Sequence, residues 1–65
     1  MLTVETEREV DGRWIAEITV LPGVMTYGVS REDAVAKVEA LALRLLADRV
    51  EREAVPELDL LFSAA

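Results

Sequence analysis

The chain opens on a strict alternation, with Leu2, Val4 and Thr6 on one side of an extended segment and Thr3, Glu5 and Glu7 on the other. A period of two sets one face on a core and the other in water, so a strand is expected over residues 2–9. Asp11-Gly12 is a tight-turn signal, because Gly accepts positive φ and Asp bonds its neighbouring backbone. A second strand is expected over residues 13–20, with Trp14, Ala16, Ile18 and Val20 on one face and Arg13, Glu17 and Thr19 on the other. Ile15 breaks the polar side. Leu21-Pro22-Gly23 ends this strand, since Pro cannot donate to a ladder and Gly takes turn geometry that a Cβ resists. The short β-prone segment from Val24 to Tyr27, bounded by Gly28, reads as a third strand. Two successive antiparallel hairpins result.

From Ser30 the period changes. Ser30 caps, Asp33 three residues on approximates a capping box, and Glu32 and Asp33 favour the positive end of the helix dipole. No Gly or Pro follows before Pro56, so the helix is expected from about Arg31 to about Glu53, roughly six turns. At about 100° per residue, Ala34, Val35, Val38, Leu41, Ala42, Leu45 and Leu46 share one broad face, the lid over a sheet. Ala36, Ala40, Leu43, Ala47 and Val50 recur on nearly the opposite side, a candidate oligomer interface. The competing account is that Ala is tolerated anywhere on a helix, leaving Leu43 and Val50 as scattered apolar residues. After Pro56, Leu58, Leu60 and Phe62 alternate with Asp59, Leu61 and Ser63 as a short fourth strand. The expected fold class is therefore α+β: a three-stranded antiparallel sheet, one long helix and a short fourth strand (β-β-β-α-β), in a single domain over residues 1–65.

Length sharpens the question of assembly. A folded chain of 65 residues leaves roughly 40% of its unfolded-state surface in water. With no Cys and no His, disulfides and the usual zinc ligands are excluded, and oligomerisation is the remaining stabilising device. Apolar residues make up 52% of the chain and the mean hydropathy is +0.25, which excludes a disordered tail. The longest uncharged run, Ile18 to Ser30, is interrupted by Pro22, Gly23 and Gly28 and falls short of the ~20 apolar residues of a membrane span. Met1-Leu2-Thr3-Val4-Glu5 lacks the basic start of a signal peptide, and a cytoplasmic location is expected.

Seven basic against thirteen acidic residues give a net charge of −6, which repels phosphate backbones and selects a basic partner. Asn, Gln, Cys and His are absent and Arg outnumbers Lys six to one, a bias that thermophily and a GC-rich genome both produce.

Catalysis without His or Cys would fall to carboxylates, Ser, Thr, Tyr or Lys. Ser30 sits at a helix start, where capping accounts for it, and no Gly-x-Ser-x-Gly surrounds it. Glu5, Glu7, Glu9 and Glu17 share the solvent face of a hairpin and form the candidate partner-binding acidic face. An open strand face presents carboxylates divergently, whereas a Mg²⁺ site needs them convergent. Two of the four are also placed to pair with Arg8 and Arg13. Gly12, Gly23 and Gly28 are the only glycines and form no phosphate-cradling loop. Trp14 shares parity with Ala16, Ile18 and Val20, which favours core packing over a base-stacking platform among acidic neighbours. No catalytic residue, metal ligand or cofactor is expected.

The order of elements and the residues at their joints resemble the HicB-like antitoxin family. The resemblance rests on the opening strand from Leu2 to Glu9, the Asp11-Gly12 turn, and the strand from Trp14 to Val20 closed by Leu21-Pro22-Gly23. It continues through Val24 to Gly28 and the helix start Ser30-Arg31-Glu32-Asp33-Ala34, covering about residues 2–50. Val24 and Val29 stand where family members often carry a polar residue or Cys, and a Thr. The resemblance implies a truncated ribonuclease H-like fold that dimerises and binds a small basic RNA-cleaving toxin of the HicA type. A C-terminal DNA-binding domain, frequent in the family, is not expected here. Two rivals stand beside this reading: an orphan homo-oligomeric structural or regulatory domain, and a metal-dependent nuclease using Glu5, Asp11 or Glu17.

Overall fold

The computed structural model describes residues 2–53 and the backbone of residues 62–64. Three strands, β1 (Leu2–Arg8), β2 (Trp14–Glu17) and β3 (Met25–Gly28), form an antiparallel sheet, followed by one long helix, α1 (Arg31–Glu53). β2 lies between β1 and β3. The alternation expected beyond Pro56 falls mostly on residues 54–61, outside the described residues.

The β1–β2 hairpin closes through Glu9 N–H, which donates to Arg13 O at 2.7 Å, and Gly12 N–H, which donates to Glu9 O at 3.0 Å. The loop is thus Val10-Asp11-Gly12, with Gly12 at φ 91°, the left-handed geometry that a three-residue hairpin loop requires at its last position. Asp11 secures it by accepting from Arg13 N–H at 3.1 Å and Arg13 Nε at 2.8 Å.

The second connection differs from the expectation. β2 ends at Glu17, before Leu21-Pro22-Gly23, because the chain already turns over Ile18–Leu21, where Leu21 N–H donates to Ile18 O at 3.0 Å. A second turn follows at once: Val24 N–H donates to Leu21 O at 3.1 Å, with Gly23 at φ 81°. Pro then Gly at the two central positions is the type II pattern. The consequence is that Val20, expected on the buried face, is 68% exposed.

Ser30 starts α1 as expected. Its Oγ accepts from Asp33 N–H at 3.0 Å, while Asp33 Oδ2 accepts from Val29 N–H at 3.0 Å, one residue before the position used in a standard capping box. The core consists of Leu2 and Val4 from β1, Ala16 and Ile18 from β2 and the turn after it, Val24, and Ala34, Val38, Ala42 and Leu46 from α1. Trp14, Leu21, Val35 and Leu41 pack at its margin. Leu45, expected in the lid, is 42% exposed. A helix of 23 residues is about 35 Å long, whereas the longest strand, β1 with seven residues, spans about 23 Å, so the last turns of α1, beyond Leu46, extend past the core.

α1 packs most extensively on β3. Thr26 Oγ1 donates to Ala34 O at 2.9 Å, and Gly28 lies flat against the Ala34 backbone.

Candidate functional site

The pleat sends Leu2, Val4 and Ala16 under α1 and turns Glu5, Glu7, Glu17, Met25 and Tyr27 to the opposite face. No described element covers that outer face. Its rows follow from the register: Glu5 is opposite Glu17, which is opposite Met25, and Glu7 is opposite Ile15, which is opposite Tyr27. Glu5 and Glu17 lie in a hydrogen-bonded pair, because the bonded pair Glu9–Arg13 fixes the alternation. Directly opposite residues have Cβ atoms about 5 Å apart, and like charges there repel.

Three of the four expected acidic positions therefore gather. Glu9 lies past the end of β1, half-buried, in the groove at the hairpin end with Arg13 and Tyr27, its backbone closing the hairpin. Nor do Arg8 and Arg13 neutralise the cluster. Arg13 pairs with Asp11 instead, since that carboxylate is two residues away and already held by the turn, and its guanidinium stacks 4.6 Å from the Tyr27 ring centroid. Among the described residues Glu5, Glu7 and Glu17 take part in no ion pair.

The surface is shallow. Glu5, Thr6, Glu7, Ile15 and Glu17 line one open groove, and Glu9, Val10, Asp11, Arg13 and Tyr27 line another at the hairpin end. Ile15, Met25 and Tyr27 supply apolar area between the carboxylates. Ile15 was signalled in the sequence by its break of the polar alternation, whereas the contribution of Met25 follows only from the register. Such an arrangement offers separate acceptors to Lys or Arg side chains and an apolar strip to their stems.

A cation site needs convergence, and among the described residues no group of three or more Asp or Glu converges to hold a metal. Asp11 is separated from Glu5 and Glu17 along the hairpin by more than about 13 Å, and its carboxyl is committed to Arg13. The backbone N–H of Arg13 holds it below the ordinary value of 3.8, helped by the Arg13 guanidinium. Ser30 Oγ is occupied as the helix cap, and Trp14 is half-buried against the core.

On α1, Ala36, Leu43 and Ala47 are exposed and Ala40 and Val50 half-buried, on the side turned away from the sheet. Leu43, 55% exposed, is the one large side chain of this stripe that stands clear. Among the described residues no helix is long and apolar enough to cross a membrane. No protein-family model, curated protein or solved structure matches the chain.

Proposed function

We propose that this chain is a protein-binding module of the HicB antitoxin type, which covers a small basic RNA-cleaving toxin of the HicA type with the acidic outer face of its sheet. One observation carries the reading: Glu5, Glu7 and Glu17 stand together on a face that no described element covers, beside Ile15, Met25 and Tyr27, and none has an ion-pair partner among the described residues. A basic protein surface is the complement that satisfies both the charge and the apolar strip. The module acts in the cytoplasm, by masking and without catalysis, metal or cofactor, and contacts neither nucleic acid nor membrane itself.

The β-β-β-α-β, truncated ribonuclease H-like arrangement belongs to the same proposal. A parallel pairing of Phe62–Ala64, β4, with β1, Leu2 opposite Phe62 and Val4 opposite Ala64, supports a fourth strand.

The test is binding of the full chain to the purified product of the neighbouring small basic gene. Association is expected in roughly 0.05 M salt, to weaken at least about tenfold by roughly 0.5 M, and to be lost in a Glu5→Gln, Glu17→Gln double variant that keeps its circular dichroism. Binding insensitive to salt and to both substitutions, or no binding, rejects the reading. The second reading, an orphan homo-oligomeric domain, is favoured by the exposure of Leu43 on the stripe Ala36, Ala40, Leu43, Ala47 and Val50.

A further inference from the structure

We infer that a second copy of this chain docks on the open edge of β3, antiparallel about a two-fold axis, and joins the two sheets into one. The inference sets self-association on the sheet edge and not on the helix stripe through Leu43, and its failure leaves the acidic-face reading untouched.

The first reason is the hydrogen-bond alternation of β3. β3 has β2 on one side and, among the described residues, no strand on the other. Ile18 N–H donates to Val24 O at 3.0 Å, and with the register Glu17–Met25, Ala16–Thr26, Ile15–Tyr27 and Trp14–Gly28 the alternation points Thr26 and Gly28 at β2. The N–H and C=O groups of Met25 and Tyr27 then point out of the sheet edge.

The second reason is what this edge lacks. Exposed edges are ordinarily blunted by charges, Pro or a bulge. No charged residue occurs between Ile18 and Ser30, and Met25–Gly28 contains no Pro. All four residues of β3 pair in register with β2, without a bulge. Flanking the unpaired groups are exposed apolar side chains: Met25 at 45%, Tyr27 at 43% and Val29 at 86%.

Charge and symmetry select the occupant. Each copy carries −6, so two copies approach with least repulsion along a margin whose own residues carry no charge and where the Arg13 guanidinium stacked on Tyr27 is paired with Asp11, while a basic protein is drawn to the carboxylates of the outer face. A two-fold axis through Thr26 sets Met25 opposite the partner's Tyr27 and Tyr27 opposite the partner's Met25, an isologous contact with about four backbone hydrogen bonds. Both apolar pairs fall on the outer face. The combined sheet then presents two sets of Glu5, Glu7 and Glu17 on one side, and two small domains share the burial that a single one of this size lacks.

Sedimentation equilibrium of the full chain tests this directly. A weight-average mass about twice the 7.2 kDa of the chain is expected at high micromolar concentration, with association strengthening as salt rises, opposite to binding of a basic partner. Met25→Pro removes an outward N–H without touching the ladder to β2, and Met25→Lys adds a charge to the edge. Each is expected to weaken association at least about tenfold, and Met25→Lys decides the matter if Met25→Pro loses its circular dichroism. Leu43→Lys is expected to leave the dimer intact. A monomer at every concentration, or a dimer broken by Leu43→Lys and not by the Met25 variants, overturns the inference.

Discussion

A Cβ at Gly28 would run into the Ala34 backbone and lie 2.8 Å from Asp33 Oδ2. Backbone cannot yield as a flexible side chain does, so the joint between β3 and α1 would have to open. Gly28→Ala is expected to cost about 1–3 kcal/mol, the range of core overpacking, measured as a lower urea midpoint at unchanged slope. In sequence Gly28 marks only the end of a strand, because close approach to a helix depends on partners that the local pattern does not contain. The cap beside it was legible, since Ser30 and Asp33 carry its chemistry at a fixed spacing. Val29 N–H, and after it the Lys37 ammonium 3.1 Å away, hold the Asp33 carboxyl below its ordinary value of 3.8. With the folded value lowered, the stabilisation is present above about pH 3.8 and is lost as pH falls through the folded value. Thermal melts in the acid range should therefore decline less steeply for Asp33→Asn than for the parent chain. An identical pH profile in the two would remove Asp33 from the cap.

At the scale of elements, the helix is legible to both its ends, Arg31–Glu53, because capping chemistry and an unbroken run of helix formers agree. The second strand is not. Trp14, Ala16, Ile18 and Val20 alternate in sequence as one face, yet the ladder stops at Glu17 and the turn over Ile18–Leu21 separates the last two by conformation. Apolar parity records which residues share a side only while the backbone stays extended. Ile18 is fully buried and Val20 is 68% exposed, so the two should respond differently to truncation. Ile18→Ala is expected to cost about 2–4 kcal/mol. For a domain of this length total stability is only about 3–10 kcal/mol, so the variant sits near its unfolding threshold. Val20→Ser should change stability by less than about 0.5 kcal/mol. Comparable losses at both positions in denaturant titrations would mean that the chain remains extended through Val20.

For the molecule as a whole, composition gives the sign of the surface but not its distribution. Glu5, Glu7, Glu9 and Glu17 have equal standing in sequence, and the register separates them, bringing Glu5 opposite Glu17 while Glu9 falls past the end of β1, opposite Arg13. Parity predicts a polar face; only pairing tells which carboxylates become neighbours. That pairing has a cost, since two carboxylates directly opposite on adjacent strands destabilise the sheet that displays them, in a chain already at −6. A sheet selected for stability alone would place opposite charges there. Glu5→Lys converts the repulsive pair into an attractive one and is expected to raise stability by about 0.5–1 kcal/mol at low salt, with the gain shrinking as salt screens it. The same substitution inserts a positive charge into the centre of the proposed binding face and should abolish capture of a basic partner. A stabilised chain that no longer binds is the signature of a surface whose charge is kept for recognition at the expense of the fold. A stabilised chain that binds as before would show that the carboxylates of this face are not what the partner reads.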